Sequence, residues 1–536
     1  MILNYVLNGT CKTAVSSNED VKIIEKKSGN RFVVEVKALN DIVLISATAD
    51  KPVSFTKTDL FFLNGYQSWT DTFEYHYSDK MLDNNSIPLY VKKKYALHKY
   101  GDSTFHKYNK NVLHGCDVAY LKGNETHFIG NLNYKTAYLF IEYHKKNNKL
   151  VLLSDLAKIP LKKNKSISAF DYIFNTDIEK GKKEYFSHFE KTKAKKIIGY
   201  TSWYNYYQDI NEEKILNVLD TISKPFELFQ IDDGFEPFVG DWLTVDKKKF
   251  PNGLKPIVDK IHSKKMKAGI WLAPFAVETN SDTFNNHKDW LCCDKKGNPV
   301  KVGGNWSFFY ALDLSKPAAV NYVKETLKYY KDLGFDFFKL DFLYAATVTE
   351  HEGFSRAQFA QKAYKLLRDE LKGKLILGCG AVVSNCFGLF EYLRIGPDVS
   401  LKFDDVWYMR KLMRERLSTK VTLRNTMYRH FFDHNVFLND PDVFLLRDDN
   451  IELNEKQREA LTTINALFGS VLMTSDNPKT YDAHKQSLLT KAIDLFKNAT
   501  VLSVTTGQNN ITVTYNCHGT EETFVYNVKT GCLSYM

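Results

Sequence analysis

The chain has 536 residues, 44% of them hydrophobic and 25% charged, with a net charge of +10; that length exceeds a single core and suggests about two to four globular domains. The basic excess is spread over short separate runs such as Lys92-Lys93-Lys94, Lys162-Lys163 and Lys247-Lys248-Lys249. It forms no basic stripe with interleaved aromatics, so no nucleic-acid partner is expected.

From the start to about Glu190 the sequence reads as β. Arg31-Phe32-Val33-Val34-Glu35-Val36, Ile42-Val43-Leu44-Ile45-Ser46, Tyr138-Leu139-Phe140-Ile141-Glu142-Tyr143 and Leu150-Val151-Leu152-Leu153 are strand-like runs between turn residues. Many short strands at that spacing predict a large antiparallel sandwich over 1–190.

After the basic stretch 191–196 the pattern becomes strand-then-helix. Predicted strands begin with Ile197-Ile198-Gly199-Tyr200, then Phe226 to Ile231, Ala268 to Leu272, Phe335 to Asp341 and Leu375 to Leu377. Three more follow: one ending at Asp398, Val436-Phe437-Leu438, and Val471-Leu472-Met473. Helices are expected from Asn211 to Ile222, Leu254 to Lys264, Ser315 to Leu333 with Gly334 as its stop, and Ser355 to Leu371. Eight strands with intervening helices over roughly 290 residues predict a (β/α)8 barrel, placed at 191–488. Past about Lys491 the pattern returns to β and predicts a small antiparallel sheet over 489–536.

The barrel fold brings strand ends to one mouth. Two segments, each read as a strand ending in a carboxylate, would deliver Asp341 and Asp398 there. Glycosidic-bond chemistry needs such a pair, one carboxylate to attack or stabilise and one acid to protonate the departing oxygen. Taken singly, each aspartate could simply cap a helix. Asp232-Asp233-Gly234 follows another buried strand, so its adjacent carboxylates can meet different hydroxyls of one sugar; alone, it would read as a turn. Lys339 lies two residues before Asp341 and faces the same side, where its ammonium would lower the aspartate pKa. Arg394 could offer a fork to ring hydroxyls. Cys379 lacks a histidine partner and suits packing or a hydroxyl contact. Trp69, Trp203, Trp242 and Trp271 could stack on the sugar, although each alone is more often core.

The eight cysteines form no CxxC pair and the 14 histidines no HExxH motif, so neither metal nor cofactor is expected. The N-terminus lacks a basic start and long apolar run, and no stretch approaches ~20 apolar residues. A cytoplasmic protein without a membrane partner is the expectation.

These residues resemble glycoside hydrolase family 36, the retaining α-galactosidases and their relatives, above all its compact bacterial members. The similarity runs in order through Asn64-Gly65-Tyr66-Gln67-Ser68-Trp69, Ser202-Trp203-Tyr204, Phe229 to Gly234, Gly240-Asp241-Trp242 and Gly269 to Phe275. It continues through Tyr310 to Ser315, Phe338 to Phe342, Leu377 to Gly380, Arg394 to Asp398 and Leu438 to Asp442. The resemblance implies a β-supersandwich, a catalytic barrel and a C-terminal β-domain. It implies Asp341 as nucleophile and Asp398 as acid/base, with Asp232, Asp233, Trp271, Lys339, Cys379 and Arg394 binding galactose and Trp69 reaching in from the N-terminal domain. Phe403 stands where the family pattern has a tryptophan, and its loop is expected to border the leaving group.

The expected activity is that of a retaining exo-α-galactosidase on α-galactoside oligosaccharides. The alternatives are an α-N-acetylgalactosaminidase, a transglycosylase or a non-catalytic sugar-binding protein. Aglycone, pH optimum and oligomeric state, a homo-oligomer included, stay open.

Overall fold

The computed structural model describes residues 1–82 and 84–536. The N-terminal strands form two antiparallel sheets; the Lys149–Leu161 strand largely alternates buried and more open positions, while Leu60–Leu63 and His127–Asn131 are buried throughout. The six-stranded sheet runs Thr10–Ala14, Ile2–Leu7, Ile42–Pro52, Lys149–Leu161, Tyr138–His144, Val112–Cys116. The seven-stranded one runs Val21–Ser28, Arg31–Ala38, Ser166–Asn175, His127–Asn131, Val118–Lys122, Leu60–Leu63, Phe73–His76. Leu3, Leu44, Phe61, Ile129, Ile141 and Phe170 join one buried cluster between them, as two sheets must do to hide their apolar faces.

The barrel strands are β1 (Ile197–Thr201), β2 (Leu228–Ile231), β3 (Lys267–Leu272), β4 (Phe337–Leu340), β5 (Leu375–Gly378), β6 (Tyr392–Arg394), β7 (Leu438–Asp440) and β8 (Val471–Thr474). All pair in parallel. Most of their residues are buried, which is why they read as continuous apolar runs without alternation. Closure depends on a break after β7. Pro441 has no N–H to give, and Asp442 takes φ 75°. Leu438–Asp440 therefore pairs with β6, while the continuation Val443–Phe444 pairs with β8. One interrupted strand joins both edges of the sheet.

The helices corroborate their signals with two exceptions. Asn211 caps Glu212–Thr221 by accepting from the Lys214 N–H, and Ser355 forms a capping box with Gln358 on Arg356–Glu370. Ser315, by contrast, is no cap: its hydroxyl donates to Asp313 at 2.6 Å, and the helix starts at Pro317. A proline at the first helical position loses nothing by lacking an N–H. The second exception is the β5–β6 connection, which carries only the short turn Ser384–Cys386. The sandwich occupies that flank: Val383 N–H donates to Tyr66 O, Ser384 to Asp117, and Tyr138 to Asn385.

The C-terminal boundary also differs from expectation. A helix, Ala483–Asn498, runs straight through position 488, and the four-stranded sheet starts only at Ala499. Leu489, Ala492, Leu495 and Phe496 bury one face of that helix, so chain at 489–498 that reads as the start of a β-domain is held by packing as helix. Among the described residues no helix is long and apolar enough to cross a membrane.

Candidate active site

At the C-terminal ends of the barrel strands a cavity of about 520 Å3 opens, within the ~300–1,000 Å3 usual for small-molecule sites. Trp69, Trp203, Asp232, Asp233, Trp271, Lys339, Asp341 and Asp398 all line it. Cys379, Arg394 and Trp242 do not.

Asp341 directly follows β4. Register puts Lys339 beside Trp271 of β3 and Leu377 of β5. The Trp271 indole N–H donates to Asp341 Oδ2 at 3.0 Å, and the Phe342 N–H donates to Oδ1 at 2.7 Å. Phe342 reaches that position with φ 54°, a conformation rare for a bulky side chain and frequent at functional sites. The Cys379 thiol, fully buried, also hydrogen-bonds Asp341. Both oxygens are thus held from behind.

Lys339 lowers the Asp341 pKa as expected, but burial outweighs it. Burial raises this pKa; Lys339 opposes the rise, and the Asp398 charge adds to it. The Lys339 ammonium is bonded to Asp232 instead, at 3.0 Å. Asp232 Oδ2 also accepts from Gln230 at 2.7 Å and Thr201 at 3.1 Å. Its neighbour Asp233 accepts from Trp306 Nε1 at 2.9 Å and from Gln208 Nε2 at 3.1 Å.

Asp398 is not at a strand end. β6 stops at Arg394, because Gly396-Pro397 cannot continue a ladder, and Asp398 sits on the loop with its side chain 32% exposed. Arg394 does not meet the cavity either. Its Nη1 donates to Asp398 and its Nε to Asp440, both at 2.8 Å. Its Nη2 lies 2.8 Å from Asp442 Oδ1, but out of line for a hydrogen bond, so that contact is one of charge. With the fork filled by three carboxylates, a direct hold on sugar hydroxyls is replaced by a hold on Asp398. Burial, partly offset by Arg394, raises Asp442 to about 7; its Oδ2 takes the Tyr204 hydroxyl and the Val399 N–H.

Trp242 is fully buried and packs edge-on against Trp271 at 5.8 Å, so it backs the wall without facing a ligand. Trp69 arrives from the sandwich on residues 64–70. Arg429, with no exposed surface, anchors that loop, donating to Asn64 Oδ1 and to the carbonyls of Gly65, Gln67 and Ser68 as well as Ile395. A Cβ on Gly380, itself at φ 53°, would lie 2.9 Å from the Trp69 ring, so glycine is needed for the indole to approach. The Trp69 indole N–H has no partner among the described residues.

Several cavity residues carry no sequence signal of their own. Trp306 and Asn305 arrive on a three-stranded excursion after β3 (Ala276–Glu278, Lys301–Gly303, Phe309–Ala311). Tyr100 and Tyr207 add aromatic surface, and Val399 to Lys402, Leu417 and Glu452 border the Asp398 side. Phe403 points elsewhere, against Gly531 of the C-terminal sheet. Among the described residues two three-residue groups bring metal-ligating atoms within 4.8 Å of each other, Cys292 with Asp313 and His351, and Asp494 with Cys517 and His518. Neither borders the cavity, and Lys316 already stands 3.8 Å from Asp313.

Comparison with known proteins agrees with this architecture. The family model Melibiase matches residues 182–369. Alpha-galactosidase AgaA of Geobacillus stearothermophilus is 32% identical over 134 residues, 24% of this chain and 18% of that protein. An alpha-galactosidase of Escherichia coli is 29% identical over 180 residues, 32% of this chain and 25% of its own. The aligned stretches thus span a quarter or less of those relatives' length. The structure of TtGalA, an alpha-galactosidase from Thermus thermophilus in complex with p-nitrophenyl alpha-D-galactopyranoside, superposes with a TM-score of 0.72 at 23% identity, covering 93% of this chain and 98% of that one. That likeness is one of fold. Together these findings bear out the family-36 resemblance.

Proposed function

We propose, taking the family-36 likeness as premise, that the chain is a retaining exo-α-galactosidase acting on terminal α-linked galactose of oligosaccharides. One observation carries the reading: a sugar-sized cavity at the barrel mouth is lined at once by Asp341 and Asp398.

In the first step an Asp341 oxygen bonds to the anomeric carbon as the glycosidic C–O bond breaks, and the Asp398 proton passes to the leaving oxygen. In the second, Asp398 takes a proton from water, the water oxygen bonds to the anomeric carbon, and the ester to Asp341 breaks. Two inversions leave the α configuration unchanged. Asp341 is oriented for attack by donors of the protein itself, so its alignment exists before substrate arrives. Arg394 keeps Asp398 facing the cavity on its short loop. Asp232, Asp233 and Lys339 would take the polar edge of galactose, and the Trp69 indole N–H, unpartnered among the described residues, one further hydroxyl.

A site built to pair particular hydroxyls rejects the epimer that leaves those groups unpaired, by up to ~10⁴-fold. Turnover of p-nitrophenyl α-galactoside with at least ~10³-fold lower kcat/KM on the α-glucoside is therefore expected; comparable values on both would overturn the assignment of Asp232 and Asp233. Lys339 carries a second expectation. It lowers the pKa of Asp341 against burial, so in Lys339→Met the acidic limb of kcat/KM moves to higher pH. A limb at the wild-type pH contradicts this, whatever the height of the profile.

A further inference from the structure

Asp233 has a second carboxyl behind it. Glu236 is 4% exposed and takes no part in the cavity shared by Asp341 and Asp398. It borders a separate cavity with Gln208, Lys249, Glu278 and Trp306. Its carboxyl receives backbone contacts alone, the Gly234 N–H at 3.3 Å on Oε2 and the N–H of Glu236 itself, and its buried Oε1 has no hydrogen-bond partner among the described residues. The Asp233 carboxyl lies within hydrogen-bonding reach of it.

Two ionised carboxylates are both acceptors and cannot satisfy each other. A single proton between them removes the like charge and fills the orphaned oxygen. The surroundings decide where it resides. Asp233 has the donors suited to an anion, Trp306 and Gln208. Among the described residues no cation is paired with Glu236: Lys249 donates to the carbonyls of Gln208 and Gly234. Glu278 is occupied by Val239 and Ser307. The Tyr330 hydroxyl donates to Trp242 O. Asp232, beyond Asp233, adds only further negative charge.

We propose that Glu236 is a neutral carboxylic acid whose O–H, donated to Asp233, keeps that aspartate ionised and aimed at the sugar. Glu236 is then a positioning residue for substrate recognition, an inference that rests on the α-galactoside reading for its kinetic consequence but not for its protonation state. Burial first, and the adjacent Asp233 charge second, push the Glu236 carboxyl far above its usual range.

The test uses the intact chain with Glu236→Gln and Glu236→Ala, read by infrared spectroscopy and by kinetics on p-nitrophenyl α-galactoside. A glutamine amide can donate as the acid does but cannot ionise. The wild type is expected to show a protonated-carboxyl C=O band at neutral pH that disappears in Glu236→Gln. Glu236→Ala raises KM by about 10- to 100-fold, the loss expected for one hydrogen bond to a charged group, with a smaller effect on kcat. Glu236→Gln restores KM to within about threefold, an amide–carboxylate bond replacing the acid–carboxylate one. A wild type without that band overturns the proposal, as does a glutamine variant no better than alanine. If the wild type turned over no α-galactoside, the functional reading would fall, while the infrared result on the free protein would still decide the proton.

Discussion

Asp341→Ala is expected to lose at least ~10⁴-fold in kcat on every α-galactoside, good or poor leaving group alike. Both steps of the proposed reaction run through this carboxylate, so no change of substrate bypasses it. The donors aimed at it, Trp271, Phe342 and Cys379, would face an empty space one carboxyl in size. Azide added at high concentration could enter that space as an external nucleophile. Because it attacks once, from the face Asp341 occupied, the product is β-galactosyl azide. Activity of Asp341→Ala within tenfold of wild type, or azide product of α configuration, would contradict the role.

Asp398→Ala should behave differently in a way that names its function. Without an acid, glycosides with a sugar leaving group lose about 10²–10⁴-fold, since an alkoxide must depart unprotonated. p-Nitrophenolate needs little protonation, so p-nitrophenyl α-galactoside still forms the intermediate, and its breakdown becomes limiting. Azide then attacks the galactosyl-enzyme and yields the α azide, the opposite of the first variant. Equal losses on the two substrate classes, with no azide product, would remove Asp398 from the acid/base role. Arg394 sets the geometry of this test. It ties Asp398 to Asp440 and Asp442, so the substitution leaves a buried guanidinium still paired with two carboxylates.

What could be read from the residues alone was mostly local. Each barrel strand is a short buried run, and Asp341 follows Leu340 directly, so strand and carboxylate are legible together. Asp398 reads as a strand end in the sequence, yet it lines the cavity from a Gly-Pro loop four residues past β6. Arg394 shows why contacts across strands escape such reading. Its register with Asp440 of β7 is fixed by barrel closure, which depends on the kink at Pro441 and Asp442. The same holds for Trp306, whose partner Asp233 lies 73 residues away, and for Arg429, whose partners on the Trp69 loop lie more than 360 residues away. The helix over 483–498 is legible in principle, since Ala492 follows Leu489 by three residues and Leu495 and Phe496 follow Ala492 by three and four.

The chemistry can be interrogated most directly by mass spectrometry of the chain after incubation with a fluorinated α-galactoside bearing an activated leaving group. Fluorine slows both steps, the good leaving group rescues the first, and the intermediate accumulates. One fluorogalactosyl unit per chain, located on the peptide fragment through Asp341 and absent in Asp341→Ala, is the predicted result. A unit carried by any other carboxylate, or hydrolysis giving β-galactose with no adduct at all, would mean that the sugar never bonds to Asp341.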